Sequence, residues 1–81
     1  MRRATTALAH YERGLSLEST DPAAARAAYE RAIAGRPDLA DAHYNLARQL
    51  EAAGRAANDE LKLRRAVRHL KAYRDLSRTA G

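Results

Sequence analysis

Cysteine is absent from the 81 residues, so neither a disulfide nor a thiolate metal site can reinforce the fold. No run of about 18 apolar residues occurs, which excludes a membrane-spanning helix. The basic start, Met1-Arg2-Arg3, is not followed by the apolar region of a secretory leader. Nowhere do apolar and polar residues alternate as in a strand, and no low-complexity linker divides the chain. Also missing are the motifs that carry common enzyme chemistry: there is no G-x-S-x-G, phosphate-binding loop, dinucleotide fingerprint or H-E-x-x-H. Chains this short rarely enclose the desolvated pocket that a small-molecule site needs. These absences lead to the expectation of one non-catalytic, cytoplasmic domain spanning 1–81, without cofactor, metal or membrane contact. Its core should be marginal for its size.

Charge is present in quantity and unevenly placed. Residues 61–78 hold seven basic side chains against Asp75 alone, whereas residues 4–60 hold six basic and nine acidic ones. The net charge of +5 therefore resides in the C-terminal stretch and at Arg2 and Arg3.

The most telling feature is an echo. Ala9-His10-Tyr11-Glu12-Arg13-Gly14-Leu15-Ser16-Leu17-Glu18 returns 33 residues later as Ala42-His43-Tyr44-Asn45-Leu46-Ala47-Arg48-Gln49-Leu50-Glu51, with five of ten positions identical. A period near 34 marks a helix-turn-helix repeat. Four helices are predicted around it. The first covers about Ala4–Glu18, with Ala7, Tyr11, Gly14, Leu15 and Leu17 near one face. Asp21 and Pro22 open a second that reaches about Ala34, with Ala25, Ala28, Tyr29, Ala32 and Ile33 as its buried stripe, and Gly35 and Pro37 close it. Asp38 is expected to cap a third helix with Ala42, Leu46, Ala47 and Leu50 inside, and Gly54 to end it. The fourth is expected from Asn58 or Asp59 to about Ser77, with Leu63, Ala66, Val67, Leu70, Tyr73 and Arg74 on its stripe. Arg55-Ala56-Ala57 is helix-compatible, so the third and fourth helices could also merge into one rod.

These residues resemble the tetratricopeptide (TPR) family over about residues 4–77. Gly14-x2-Leu17, Ala25-x3-Tyr29-x2-Ala32 and Pro37 match its pattern in the first unit, about 4–37, and Leu46-Ala47-x2-Leu50 in the second, about 38–78. Tryptophan is absent, and His10 and His43 stand where an aromatic is usual. The last helix departs from the pattern. Read without a gap, Tyr29, Ala32 and Ile33 correspond to Leu63, Ala66 and Val67. Read with a seven-residue insertion, Ala25, Tyr29 and Ala32 correspond to Ala66, Leu70 and Tyr73. Seven residues is two helical turns, so both registers keep the same face inward.

The resemblance implies an all-α, TPR-like α-solenoid of two antiparallel helix pairs. It also implies a scaffold that binds a peptide or helix of another protein in a concave groove. Tyr11, Leu15, Asp41, Tyr44, Asn45 and Arg48 would line that groove. Some TPR proteins grip a C-terminal carboxylate, and Asn45 matches one position of that grip. Tyr11 and Leu15 occupy positions where lysine and asparagine would be needed, so the resemblance argues against this use.

Other residues admit a sharp and a plain reading. His10, His43 and His69 lack the spacing and companions of a metal site, and a place in helix-helix seams accounts for them. Tyr11 and Tyr44 suit a binding platform and inter-helix packing equally, whereas Tyr29 and Tyr73 follow core spacing. The cations of the last helix, among them Arg64, Arg68, Lys71 and Arg78, could form a basic face for nucleic acid or another acidic surface. They lie mostly opposite Leu63, Val67 and Leu70, and no aromatic residues interleave them, which favours a solvated outer face. Stacked repeats usually need about three units, and here there are two. A homodimer is therefore expected, formed through Leu63, Val67, Leu70 and Tyr73 or by exchange of helices. A piece of a longer array is the remaining reading.

Overall fold

The computed structural model describes residues 3–80, so the outermost residues of the expected 1–81 span lie outside it. Four helices follow one another: α1 (Arg3–Leu17), α2 (Pro22–Gly35), α3 (Ala40–Ala57) and α4 (Glu60–Ala80). Among the described residues there is no strand. The start of α2 forms as the sequence predicts. The Asp21 carboxylate accepts from the Ala24 amide at 3.2 Å, and Pro22 takes the first turn, where no amide partner is required.

The boundaries of α3 differ from expectation. Asp38 does not cap it but pairs with Arg36 at 3.7 Å. Leu39 is the N-cap residue, with no side-chain hydrogen bond, and Asp41 sits in the first turn near the positive end of the helix dipole. Gly54 does not end α3, because its backbone stays helical and the chain continues to Ala57. The stop falls at Asn58, in the left-handed conformation (φ 55°, ψ 45°) that asparagine tolerates better than most residues. Asp59 then opens α4 at once. Its carboxylate accepts from the amides of Leu61 (3.0 Å) and Lys62 (3.3 Å) and from Lys62 Nζ (3.1 Å). Those bonds, the Lys62 side chain's first, hold the Asp59 carboxyl below its usual range. The two helices are therefore separate and sharply turned.

Glycine marks where helices approach most closely. A Cβ on Gly14 would strike the Tyr29 ring, lying 2.6 Å from its Cδ1, and one on Gly54 would lie 2.8 Å from Leu63 Cδ2. Gly35 lies against Ala7. Gly14 facing Tyr29 and Gly35 facing Ala7 show that α1 and α2 run antiparallel. Gly54 facing Leu63, and Tyr44 facing Tyr73, show the same for α3 and α4. These contacts also set the level of each pair. The Gly54–Leu63 and Tyr44–Tyr73 contacts fit the register with the seven-residue insertion, in which Leu70 corresponds to Tyr29. Helix lengths agree: α4 has 21 residues and α2 has 14.

The core lies where α2 meets α3 and α4. Tyr29, Leu46, Leu50 and Ala66 form one cluster, with Tyr11 and Ile33 half-buried around it. Ala7, Ala25, Ala28, Ala32, Ala42 and Ala47 are buried too, and their small side chains let the helices come close. Each fully buried leucine contributes about 1.5–3 kcal/mol. The cluster is small, so loss of one contact should be felt throughout. Replacing Gly14 with Ala forces its Cβ into a ring that is itself buried, and helix propensity returns only about 1 kcal/mol. Gly14→Ala is expected to lower unfolding free energy by about 1–3 kcal/mol in urea titrations followed by circular dichroism.

Candidate functional site

The residues that sequence reasoning assigned to the groove meet between α1 and α3, but half of them are engaged with the chain itself. Tyr11 Oη accepts from Asn45 Nδ2 at 3.0 Å. Asn45 Oδ1 accepts from Arg48 Nη2 at 3.1 Å. Arg48 Nη2 also donates to both carboxylate oxygens of Glu18, at 3.2 and 3.0 Å. Glu18 in turn accepts a short hydrogen bond from the Tyr29 hydroxyl. The Tyr29 and Tyr11 rings lie 5.8 Å apart, which closes the circuit. Three helices are tied by it, and no buried side-chain polar atom among the described residues lacks a partner.

Burial and the Glu18 carboxylate both favour the protonated Tyr29 phenol and push its pKa up. Burial, and after it the negative charge of Asp41, push Tyr11 up as well. Glu18 is the hub, and sequence reasoning missed it. The available signal was its place at the end of the echoed segment, beside the turn into α2.

What remains open on this face is apolar and aromatic. Leu8 is 41% exposed, Leu15 47% and Tyr44 41%. Leu8 and Leu15 lie two turns apart on one side of α1, and Leu8 was not predicted for the site. Tyr44 is held in place, its ring 5.1 Å from that of Tyr73 and 5.9 Å from the Arg48 guanidinium carbon. Asp41 is exposed at the rim.

On α4 the residues assigned to self-association divide. Leu63 and Tyr73 turn half-inward, whereas Val67 and Leu70 are 66% and 40% exposed. The basic face divides as well, and Lys71 lies beside Val67 and Leu70 rather than opposite them as expected. Arg64 pairs with Glu60 at 3.6 Å, Arg78 with Asp75 at 3.2 Å, and Arg65 with Glu30 of α2. Arg68, Lys71 and Arg74 have no carboxylate at ion-pair distance among the described residues.

Two of the histidines meet in the α3–α4 seam, buried His43 and His69, with Nδ1 atoms 2.9 Å apart, while His10 on α1 is half-buried. His43 Nε2 lies 2.8 Å from the Pro37 carbonyl, which can only accept, so that nitrogen carries the hydrogen. His43 Nδ1 is then the acceptor and His69 Nδ1–H the donor. Burial lowers the His69 pKa, and the charges of His43, Arg65 and Arg68 lower it further against the opposing pull of Glu30. No group of three or more His, Cys, Asp or Glu among the described residues is placed to hold a metal ion. No described helix is long and apolar enough to cross a membrane.

Compared with known proteins, the chain matches no family model, no curated protein and no solved structure.

Two outcomes follow from this geometry. Glu18→Ala and Tyr29→Phe should each destabilise the fold by about 1–2 kcal/mol. The double variant should lose less than the sum of the two, because both changes break one bond; strict additivity in a double-mutant cycle would show that the circuit is not coupled. The lowered His69 pKa means that the unfolded chain takes up a proton at a higher pH than the folded one. Stability is therefore full above pH 7 and falls as pH drops through 6.5 toward the folded value. Urea titrations at pH 7.5 and 5.0 should show this loss, and His69→Gln should reduce it.

Proposed function

We propose that the chain is a TPR-like protein-interaction module that binds a peptide or helix of another protein on the exposed face of α1 and α3, without catalysis. The observation that carries this reading is the exposed row of Leu8, Leu15 and Tyr44 beside a rigid polar circuit. Apolar side chains held on a fixed frame favour binding, because little order has to be gained on association. Tyr44 offers an aromatic anchor with Arg48 beside it, the combination that dominates many interfaces. Asp41 supplies a rim charge. Tyr11 and Asn45 act chiefly by fixing α1 against α3, since their hydroxyl and amide are engaged with each other.

The alternative is a binder of nucleic acid or another acidic surface through α4. Its support is the set of free cations Arg68, Lys71 and Arg74, and salt separates it from the groove reading. Peptides selected on the protein from a displayed random library should bind with an affinity that changes less than about threefold between 50 and 200 mM salt. Leu15→Ser and Tyr44→Ala should each weaken them at least about tenfold. A duplex oligonucleotide whose binding falls about a hundredfold over the same range, and is lost when Arg64, Arg68 and Lys71 are reversed in charge, would select the alternative.

A further inference from the structure

The outer flank of α4 stands where α2 already has a neighbour. On α2, Tyr29 is fully buried because α3 lies across it with Leu46 and Leu50. In the register with the seven-residue insertion the α4 counterpart of Tyr29 is Leu70, which is 40% exposed, and Val67, one turn back, is 66% exposed. Val67, Leu70, Lys71, Tyr73 and Arg74 line an open, largely apolar recess of about 460 Å³. Arg65 reaches α2 from the opposite side of α4, so the recess faces away from the rest of the molecule.

Charge identifies the occupant. Glu30 on α2 pairs with Arg65 across the helix interface. In the same register Lys71 stands at the counterpart of Glu30, with the opposite charge. Lys71 and Arg74 border the recess without a carboxylate partner among the described residues. A second copy presenting its own α4 would bring these two cations against their own copies, and like-charge contact at an interface disfavours that pairing. The far side of α1 cannot fill the recess either, because Ala9, Arg13 and Ser16 there offer no large apolar group.

From these observations we infer that the recess on α4 receives an acidic amphipathic helix of another protein. Its apolar side chains sit on Val67, Leu70 and Tyr73, and its carboxylates meet Lys71 and Arg74. A helix fits because α3 fills the equivalent position on α2. Leu63 to Tyr73 spans about 15 Å, so three to four turns of partner suffice. This surface is separate from the α1–α3 face and does not depend on the reading given to it.

Three synthetic 16-residue helical peptides test the inference by amide chemical-shift titration at 150 mM salt. One has a leucine stripe flanked by glutamates, the second the same stripe flanked by lysines, and the third keeps the glutamates with alanines for leucines. The glutamate–leucine peptide should bind at least tenfold more tightly than the other two, with shifts centred on Val67, Leu70, Lys71 and Arg74. K71E/R74E should reverse the preference toward the lysine-flanked peptide, and L70D should abolish binding of both. These side chains are exposed, so the circular dichroism of the variants should match that of the parent chain. L15S should leave binding unchanged, so a failure of the groove reading and a failure of this one are distinguishable. No binding, equal binding of both charge versions, or shifts centred on Leu8, Leu15 and Tyr44 would overturn the inference. So would a dimer mass in sedimentation equilibrium that V67D converts to a monomer, because the occupant would then be a second copy. Displacement of the acidic peptide by duplex DNA at equal concentration would assign the recess to nucleic acid instead.

Discussion

The structure depends on the contact between the Tyr29 ring and the bare backbone of Gly14. Only a residue without a Cβ lets α1 approach α2 this closely. The approach buries the largest side chain of the core and brings its hydroxyl to Glu18. Glu18 then reaches Arg48, and through Asn45 the chain of bonds returns to Tyr11. One close approach therefore positions α1, α2 and α3 together. A buried tyrosine is costly unless its hydroxyl is bonded, and the circuit meets that requirement while fixing the face proposed to bind a partner.

The pair α3–α4 is built by the same means and lacks the same closure. Gly54 admits Leu63 as Gly14 admits Tyr29, but Leu63 is aliphatic and brings no hydroxyl to a hub. The polar link across this pair is instead the contact of His43 with His69, anchored at the Pro37 carbonyl. Through His69, whose pKa burial lowers, it makes the α3–α4 pair sensitive to protonation.

Much of the fold was legible in the sequence because it rests on period and spacing. The echo of Ala9-His10-Tyr11 in Ala42-His43-Tyr44 located the two leading helices, and Asp21-Pro22 located the start of α2. Gly54 misled, because glycine serves both at helix ends and at close crossings, and only the backbone conformation tells them apart. Asp38 misled because its charge went to Arg36. In the site, residue types were readable but their engagements were not. Tyr11, Asn45 and Arg48 appeared available for a partner, yet Asn45 bonds Tyr11 across 34 residues and Arg48 bonds Glu18 across 30. Those two pairings depend on how two helices are set side by side, which no local pattern encodes; only the Asn45–Arg48 bond is local. Val67 and Leu70 were placed on the same stripe as Leu63 and Tyr73, and the two groups diverge because α3 covers only part of a broad apolar arc.

The seven-residue difference between α2 and α4 explains why that arc is left open. The extra turns lengthen α3 past Gly54 and begin α4 earlier, so the second hairpin extends further at its tip. Leu63 fills the contact at that tip, and Leu70 falls at the level that Tyr29 holds in the first hairpin. A buried tyrosine there would need a hub such as Glu18 and a covering helix such as α3. Leucine needs only the covering helix. The replacement of tyrosine by leucine, and of Glu30 by Lys71, therefore removes the internal polar requirement while keeping an apolar contact and adding a positive rim. Leu70 and Lys71, set where α2 in the register with the seven-residue insertion carries Tyr29 and Glu30, supply the apolar contact and the positive charge on which the inferred docking of an acidic helix rests.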